Sequence, residues 1–306
     1  MLSSFSSTLI TYIIILAAIA FFTLLERKVL GYFQIRKGPN KVGLIGIPQP
    51  LADAVKLFSK ELSKPNLANT SPFFVAPGIG LLLALIIWSL YPSFSNLNFY
   101  KSGILVFLII SRIRVYVTLS AGWTSNSKYS LLGSLRGVAQ TISYEVSISL
   151  ILISCLIFHI NLNLIQIFNF RFIAILIISP LLLYIWFTTT VAETNRTPFD
   201  FAEGERELVS GFNTEYAAGS FAMIFIAEYI NIIFMSILTA VLFFFSFDNQ
   251  IFNILLLIIQ SSFFAVLFLW LRATLPRIRY DRLIILTWKG FLPISLIILL
   301  FFPSLV

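Results

Sequence analysis

The sequence predicts an all-α integral membrane protein: about eight transmembrane helices, an interfacial amphipathic helix, and charged loops gathered on one side. Three observations carry that prediction. Of 306 residues, 58% are hydrophobic and 11% charged, against ~25% charged in soluble proteins. A chain of this length has too little interior to hide that much apolar surface from water, so its main solvent is lipid. Apolar runs of roughly 20 residues, enough to cross the hydrocarbon core as helices, recur at 8–30, 72–92, 101–122, 136–159, 170–192, 217–246, 252–274 and 283–304. The connections between them alternate, long or charged after odd-numbered runs and short and nearly uncharged after even-numbered ones.

The N-terminal run has no basic residue ahead of it, and Arg27 and Lys28 follow it. A secretory signal or a transit peptide would carry its positive charge the other way round, so 8–30 is read as a retained first span and synthesis inside an organelle is expected. The charged connections, 31–71, 123–135, 193–216 and 275–282, and their flanks hold most of the Lys and Arg, while the other side has Lys101 and Arg171. The positive-inside rule then puts both termini on the exterior side and the charged loops on the cytoplasm-equivalent side. Within 31–71, Leu51, Ala54, Val55, Phe58 and Leu62 recur at helical spacing behind Pro50, with Lys56 and Lys60 on the other side. That pattern predicts a short helix lying at the interface.

One Cys (Cys155) and one His (His159) exclude a disulfide framework and a Cys/His metal, haem or iron–sulfur site supplied by this chain alone. The glycine-rich "GPNKVGLIG" lacks the GK[ST] ending of a phosphate loop and gets no nucleotide role. No nucleic-acid partner is expected.

The acids are unevenly spread. Glu193, Asp200, Glu203, Glu205, Glu207 and Glu215 crowd into residues 192–216, in a chain with 13 acidic residues. Asp200, Glu203 and Glu207 are spaced to share one helical face, while Phe199, Phe201, Leu208, Val209 and Phe212 call for packing against something, with another subunit as one option. Glu145 lies inside the fourth span and Glu228 inside the sixth; Glu193 ends the fifth, Glu26 ends the first, and Asp53 sits on the interfacial helix. An ionised group at the bilayer centre costs at least ~2.5–3.5 kcal/mol on insertion scales. Carboxylates at such depths are best explained by facing one another across a hydrated interior, which makes them candidates for proton exchange. The competing account is a set of separate acids, each neutralised by a nearby arginine. A stand-alone ion transporter would suit interior acids equally but should show internal repeats, and the halves show none. A membrane anchor of a hydrogenase-type complex is a further alternative.

The acidic stretch "AETNRTPFDFAEGERELVSGFNTEYAAG" closely resembles the signature of subunit 1 of mitochondrial NADH:ubiquinone oxidoreductase, respiratory complex I, of animal type. So do "LLERKVLGYFQIRKGPNKVG", "GIPQPLADAVKLFSKE", "GWTSNSKYSLLGSLRGVAQTISYEV", "FIAEY" and "LWLRATLPRIRYDRLIILTWKGFLP". The resemblance spans almost the whole chain. It implies the membrane part of a quinone chamber beneath a hydrophilic arm, whose subunits carry FMN and iron–sulfur clusters, with ubiquinone as substrate and no cofactor on this chain. It implies proton-coupling roles for Asp53, Glu145, Glu193 and Glu228, with Asp200, Glu203, Glu205, Glu207 and Glu215 near the chamber. Glu26, Arg27, Arg36, Lys37, Arg136 and Phe212 would belong to the chamber and its loops. Arg277 and Arg279 match basic positions of the family, but topology alone accounts for them. The implied location is the mitochondrial inner membrane, both termini toward the intermembrane space, with lipid and other complex I subunits as partners.

Arg112 and Arg114, in "IISRIRVYVTLS", fall near mid-span where the family usually has small residues, often Ser, and Arg206 stands where Ser is common. Two readings stay open. In the first, the arginines are present and paired, Arg206 with Glu203 or Glu207 and Arg112 or Arg114 with a neighbouring acid. Alternatively, AGA and AGG codons were read as Arg where the organelle reads Ser; only 3 Met fits this, since ATA codes Met in many animal mitochondria and Ile elsewhere. A tandem mass spectrum of the third span decides: serine masses at 112 and 114 establish the codon reading, and arginine masses remove it.

Overall fold

A computed structural model describes residues 2–92, 100–159, 161–169, 175–244, 246 and 249–304. Helices supply its regular structure. In chain order they are α1 (Leu2–Phe33), α2 (Gln49–Ser59), α3 (Thr70–Trp88), α4 (Gly103–Thr124), α5 (Lys128–His159), α6 (Leu164–Asn169), α7 (Ile175–Ile178), α8 (Pro180–Glu193), α9 (Glu205–Leu208), α10 (Ala218–Phe243), α11 (Gln250–Thr274), α12 (Tyr280–Ile285) and α13 (Leu292–Phe301). A π-helical turn, Leu286–Phe291, joins α12 to α13 as one continuous 22-residue rod. Among the described residues, seven helices are long and apolar enough to cross a membrane.

The segment 170–192, expected as the fifth span, is described from residue 175 onward; 170–174 and Arg171 lie outside the described residues. It comes as two pieces, α7 and α8, because proline at position 180 cannot donate the amide bond that would continue α7. The connection placed at 123–135 shortens to Ser125–Ser127, since Lys128 already opens α5. α2 forms where the apolar spacing predicts it, with Pro50 at its start. Leu51, Val55 and Phe58 all point away from the bundle, each about 70% exposed, as an interfacial helix presenting its apolar side requires.

The bundle is wound so that α10 packs on α3 and α11, α3 on α4, and α4 on α5, which also meets α8 and α13. Its core runs through fully buried Trp186, Tyr144, Phe107 and Phe243. α1 sits at the margin, touching α10, α11 and α2.

The connection from Thr194 to Ala217 folds back into this bundle. Phe199, Phe201, Leu208 and Phe212 are buried within the chain's own cores, so the aromatic content of the acidic stretch serves internal packing; Val209 alone of the five is exposed. Gln140 on α5, fully buried, donates from Nε2 to the carbonyls of Ala192 (2.9 Å) and Phe199 (2.7 Å). At the other end, the Tyr216 ring stacks on Phe73 with centroids 4.3 Å apart, and its hydroxyl donates to the Phe73 carbonyl at 3.2 Å. Between these anchors, Gly211 (φ +56°) presses its backbone against Gly133 of α5 and against Ala202.

A side chain at 211 would place its Cβ 1.8 Å from the Ala202 carbonyl oxygen, whereas Gly78 on α3 has nothing within 4 Å. Gly211→Ala is therefore expected to release the connection and deplete assembled protein, while Gly78→Ala, in a helix interior, leaves it level or better by about 1 kcal/mol. Proteolytic cleavage between 194 and 217, alongside the yield of intact complex, measures both.

Candidate functional site

The folded-back connection, the end of α1, the middle of α10 and the segment after α11 converge on one cluster of charge. The Glu26 carboxylate, about two turns before the end of α1, accepts from the Arg272 guanidinium of α11 and from the Tyr229 hydroxyl of α10 at 2.6 Å. Its partner is thus 246 residues away, not the adjacent Arg27 or Lys28. Tyr229 also lies beneath Arg196, whose guanidinium carbon is 4.7 Å from the ring centroid, a cation–π arrangement that desolvation strengthens. Arg196 stands 3.8 Å from Glu228, both mostly buried. Burial opposes its charge, but Glu228, Tyr229, Glu26 and Glu203 around it outweigh that and raise its pKa, so the guanidinium stays protonated.

Asp200 pairs with Arg277 at 2.6 Å, and the Ile278 amide donates to the Pro198 carbonyl beside them. Arg277, which topology alone seemed to explain, therefore closes the cluster, while Arg279 pairs only with exposed Asp281 at 3.0 Å. Glu203 accepts from Asn213 Nδ2 at 2.8 Å. Burial, then the Glu228 and Asp200 carboxylates, push Glu203 well above the ordinary carboxylate range, against the pull of Arg196 and Arg272.

Two cavities run through the cluster. A polar one of about 380 Å³ is lined by Arg196, Thr197, Asp200, Glu203, Arg272 and Arg277. A tighter one, about 60 Å³, reaches inward past Phe212 to Glu193, Glu228 and Asn231; that is room for a few waters. Asn195 lines both. Buried Nε and Nη2 of Arg196, Nε of Arg277, Oγ1 of Thr197, and Oδ1 of Asp200, Asn195 and Asn231 have no protein hydrogen-bond partner. Since buried polar groups are ordinarily bonded, this lining is built for polar occupants.

The remaining acids divide. Glu193 at the end of α8 pairs with Arg114 at 2.6 Å, both buried. Glu145, deeper in α5, is 3.9 Å from Arg112, whose side chain is 63% exposed. The two arginines thus take different partners, as helix geometry requires, and only Arg114 is enclosed. An exposed guanidinium at mid-span is costly, which weighs toward serine at 112. Glu207 leaves the cluster for the surface, where it meets Arg136 at 2.5 Å. Asp200, Glu203 and Glu207 therefore do not share a helical face: Gly204 (φ +33°) turns the chain before α9, sending Glu207 the other way. Glu215 is half-buried and lines neither cavity. The side chains of Glu205 and Arg206 lie outside the described residues. Asp53 binds Arg27 at 2.6 Å at the surface, next to an open basic hollow lined by Arg27, Arg36 and Lys37.

Sequence reasoning counted Arg196 and Arg272 only as topological charge and passed over Tyr229 and Asn231. The available signal was Asn231 three residues after Glu228, on the same face of an otherwise apolar helix, with a polar-tipped Tyr229 beside them.

A model of the NADH dehydrogenase family matches residues 6–303. The chain belongs to that family. It is 53% identical over 305 residues to NADH-ubiquinone oxidoreductase chain 1 of Heterololigo bleekeri, covering 98% of this chain and 96% of that one. It is 50% identical over 302 residues to the chain 1 of Aedes aegypti, covering 98% and 95%. With the chain 1 of Paracentrotus lividus it shares 51% over 288 residues, covering 92% and 89%. Within this NADH dehydrogenase chain, the matched length takes in every element of the cluster, from Glu26 to Arg277.

The raised Glu203 value has a measurable sign. The folded state holds a proton that the unfolded state releases above the ordinary carboxylate range, so this group's stabilisation is present at low pH and fades as pH rises through the raised value. Thermal unfolding of the intact complex is expected to soften over that window, and Glu203→Gln, which mimics the protonated form, to flatten the dependence.

Proposed function

We propose that this chain is the membrane subunit that forms the floor of the quinone chamber in a proton-translocating NADH:ubiquinone oxidoreductase of the mitochondrial inner membrane. Both termini face the intermembrane space, and the charged loops face the matrix, where the hydrophilic quinone-module subunits sit on them. The protein is organelle-encoded, embedded in lipid, and flanked by other membrane subunits of the same complex. FMN and iron–sulfur clusters in partner subunits deliver the electrons; this chain holds no redox centre. The observation that carries the reading is that Asn195 borders both the polar loop cavity at Asp200 and Glu203 and a smaller, largely apolar cavity inside the bundle into which Glu228, Asn231 and Glu193 are set.

Reducing ubiquinone to ubiquinol consumes two electrons and two protons, so charge changes beside the chamber at each turnover. Carboxylates within electrostatic reach titrate as a set, and Glu228 is within reach of Asp200, Arg196, Arg114 and Arg272. A proton gained or lost at the loop end thereby alters the protonation balance at Glu228, and onward at Glu193 and Glu145, toward the pumping subunits. The chain's part is to hold and pass charge, not to react with the quinone. Lys28 donates to the Ile45 carbonyl at 2.6 Å and Arg27 holds α2 through Asp53, which supports a role for 27–64 in shaping the chamber border.

Glu228→Gln tests this. With assembly checked by native gel, quinone-reductase activity and proton pumping are expected to fall together by tenfold or more. Intact activity and pumping in the assembled variant would overturn the reading.

A further inference from the structure

The loop between α1 and α2 folds into an open hollow of about 630 Å³ that shares no lining residue with the two cavities of the carboxylate cluster. Four cations line it, Arg27, Arg36, Lys37 and Lys41, with Leu30 as an apolar contact. Most of that charge is unanswered. Asp53 pairs with Arg27 at 2.6 Å, and Arg36 donates from Nε to the neutral Gln34 side chain at 2.8 Å. Among the described residues, no carboxylate pairs with Arg36, Lys37 or Lys41. Four cations less one acid leaves three positive charges around the hollow. The loop that carries them is packed in place: Gly38 presses its backbone on Lys28 and Gly46 on the Pro39 carbonyl. Gln49, the first residue of α2, donates from Nε2 to Asp53 at 2.9 Å. Cations held together in a preformed concavity repel one another and favour an anion that several of them bind at once.

The height of the hollow selects the anion. A hydrocarbon core of about 30 Å takes about 20 helical residues, so α1, crossing from Thr8, leaves the core near Arg27. Leu30 and Gln34 then lie about 5–10 Å beyond it, in the headgroup layer. α2 runs at the same level, since Gln49 lines the hollow while Leu51, Val55 and Phe58 are exposed along the helix. Between Gln34 and Arg36, the Ile35 side chain is 98% exposed. Cations inside a concavity and apolar side chains around it, both at headgroup level, complement a phosphate with acyl chains alongside. We propose that this hollow binds the headgroup of an anionic phospholipid from the leaflet on the charged-loop side, its phosphate held by Arg36, Lys37 and Lys41 and its chains entering the bilayer beside α2. The site does not depend on the quinone reading.

The test is acetylation of lysines in the purified intact complex, read residue by residue by mass spectrometry. The complex is freed of its own phospholipid by exchange into neutral detergent, with a phosphorus assay as the check, and reconstituted in phosphatidylcholine with or without phosphatidylglycerol. A phosphate in the hollow keeps the Lys37 and Lys41 amines protonated and unreactive, so phosphatidylglycerol is expected to slow their acetylation at least fivefold. Lys64 and Lys128, exposed outside the hollow, report the general effect of an anionic surface and should change less than twofold. Inorganic phosphate added to phosphatidylcholine vesicles should give no protection. Lys37 and Lys41 already shielded in phosphatidylcholine alone, as an acidic segment of a partner subunit would shield them, would overturn the proposal. So would protection by inorganic phosphate, or slowing no greater than at Lys64 and Lys128.

Discussion

A carboxylate taken out of water must find a counter-charge or keep its proton, and this requirement organises the centre of the molecule. Glu26, Glu228 and Asp200 come from α1, α10 and the acidic connection; their guanidinium partners, Arg272, Arg196 and Arg277, come from α11, the connection itself and the segment after α11. No pair lies within one helix. Each therefore ties two elements distant in sequence, and breaking a buried pair by removing one partner typically costs about 3–5 kcal/mol because the other charge is stranded. The connection must fold back for Arg196 and Asp200 to arrive, which is why Gln140, Gly211 and Tyr216 hold it at three points.

The spans could be read from apolar run length because the backbone can satisfy itself in lipid only by closing its own hydrogen bonds, and α2 could be read because an interfacial helix must separate its faces. What could not be read were pairings. Arg27 directly follows Glu26, yet consecutive residues on a helix face different directions, and the partner of Glu26 lies near the end of another span. Arg277 looked like surplus positive charge, since nothing local shows that a loop 77 residues earlier will bring Asp200 to it. The i, i+3, i+7 spacing of Asp200, Glu203 and Glu207 misled because it presupposed a helix that Gly204 interrupts. The acids themselves were legible from their cost at depth; their partners depended on tertiary folding.

The two arginines of α4 pair with Glu193 and Glu145, and Arg114 reaches the centre only at longer range, through Glu228. Glu26, Asp200 and Glu228 keep their paired arginines whichever residue stands at 112, 114 and 206, since those partners are Arg272, Arg277 and Arg196. The loop end of the functional reading accordingly rests on residues that the codon question does not touch, while its inner end, at Glu193 and Glu145, faces Arg114 and Arg112.

Charge counting within the centre gives the last step. Four carboxylates, Glu26, Asp200, Glu203 and Glu228, face three guanidinium groups, Arg196, Arg272 and Arg277. Four minus three leaves one carboxylate without its own cation, and that one is Glu203, which has Asn213 for a hydrogen-bond donor and two acids for neighbours. A proton on Glu203 makes the centre neutral, and its loss leaves a net negative charge that Glu228 and Asp200 both feel. The proton is therefore the least costly charge in the centre to move. It sits at the edge of the loop cavity and faces the bundle interior through Arg196 and Glu228. Under the proposed function, a change of charge in the chamber would act first on Glu203, and the arginines, fixed in their charge, would pass the imbalance inward as a shift in which carboxylate carries the proton.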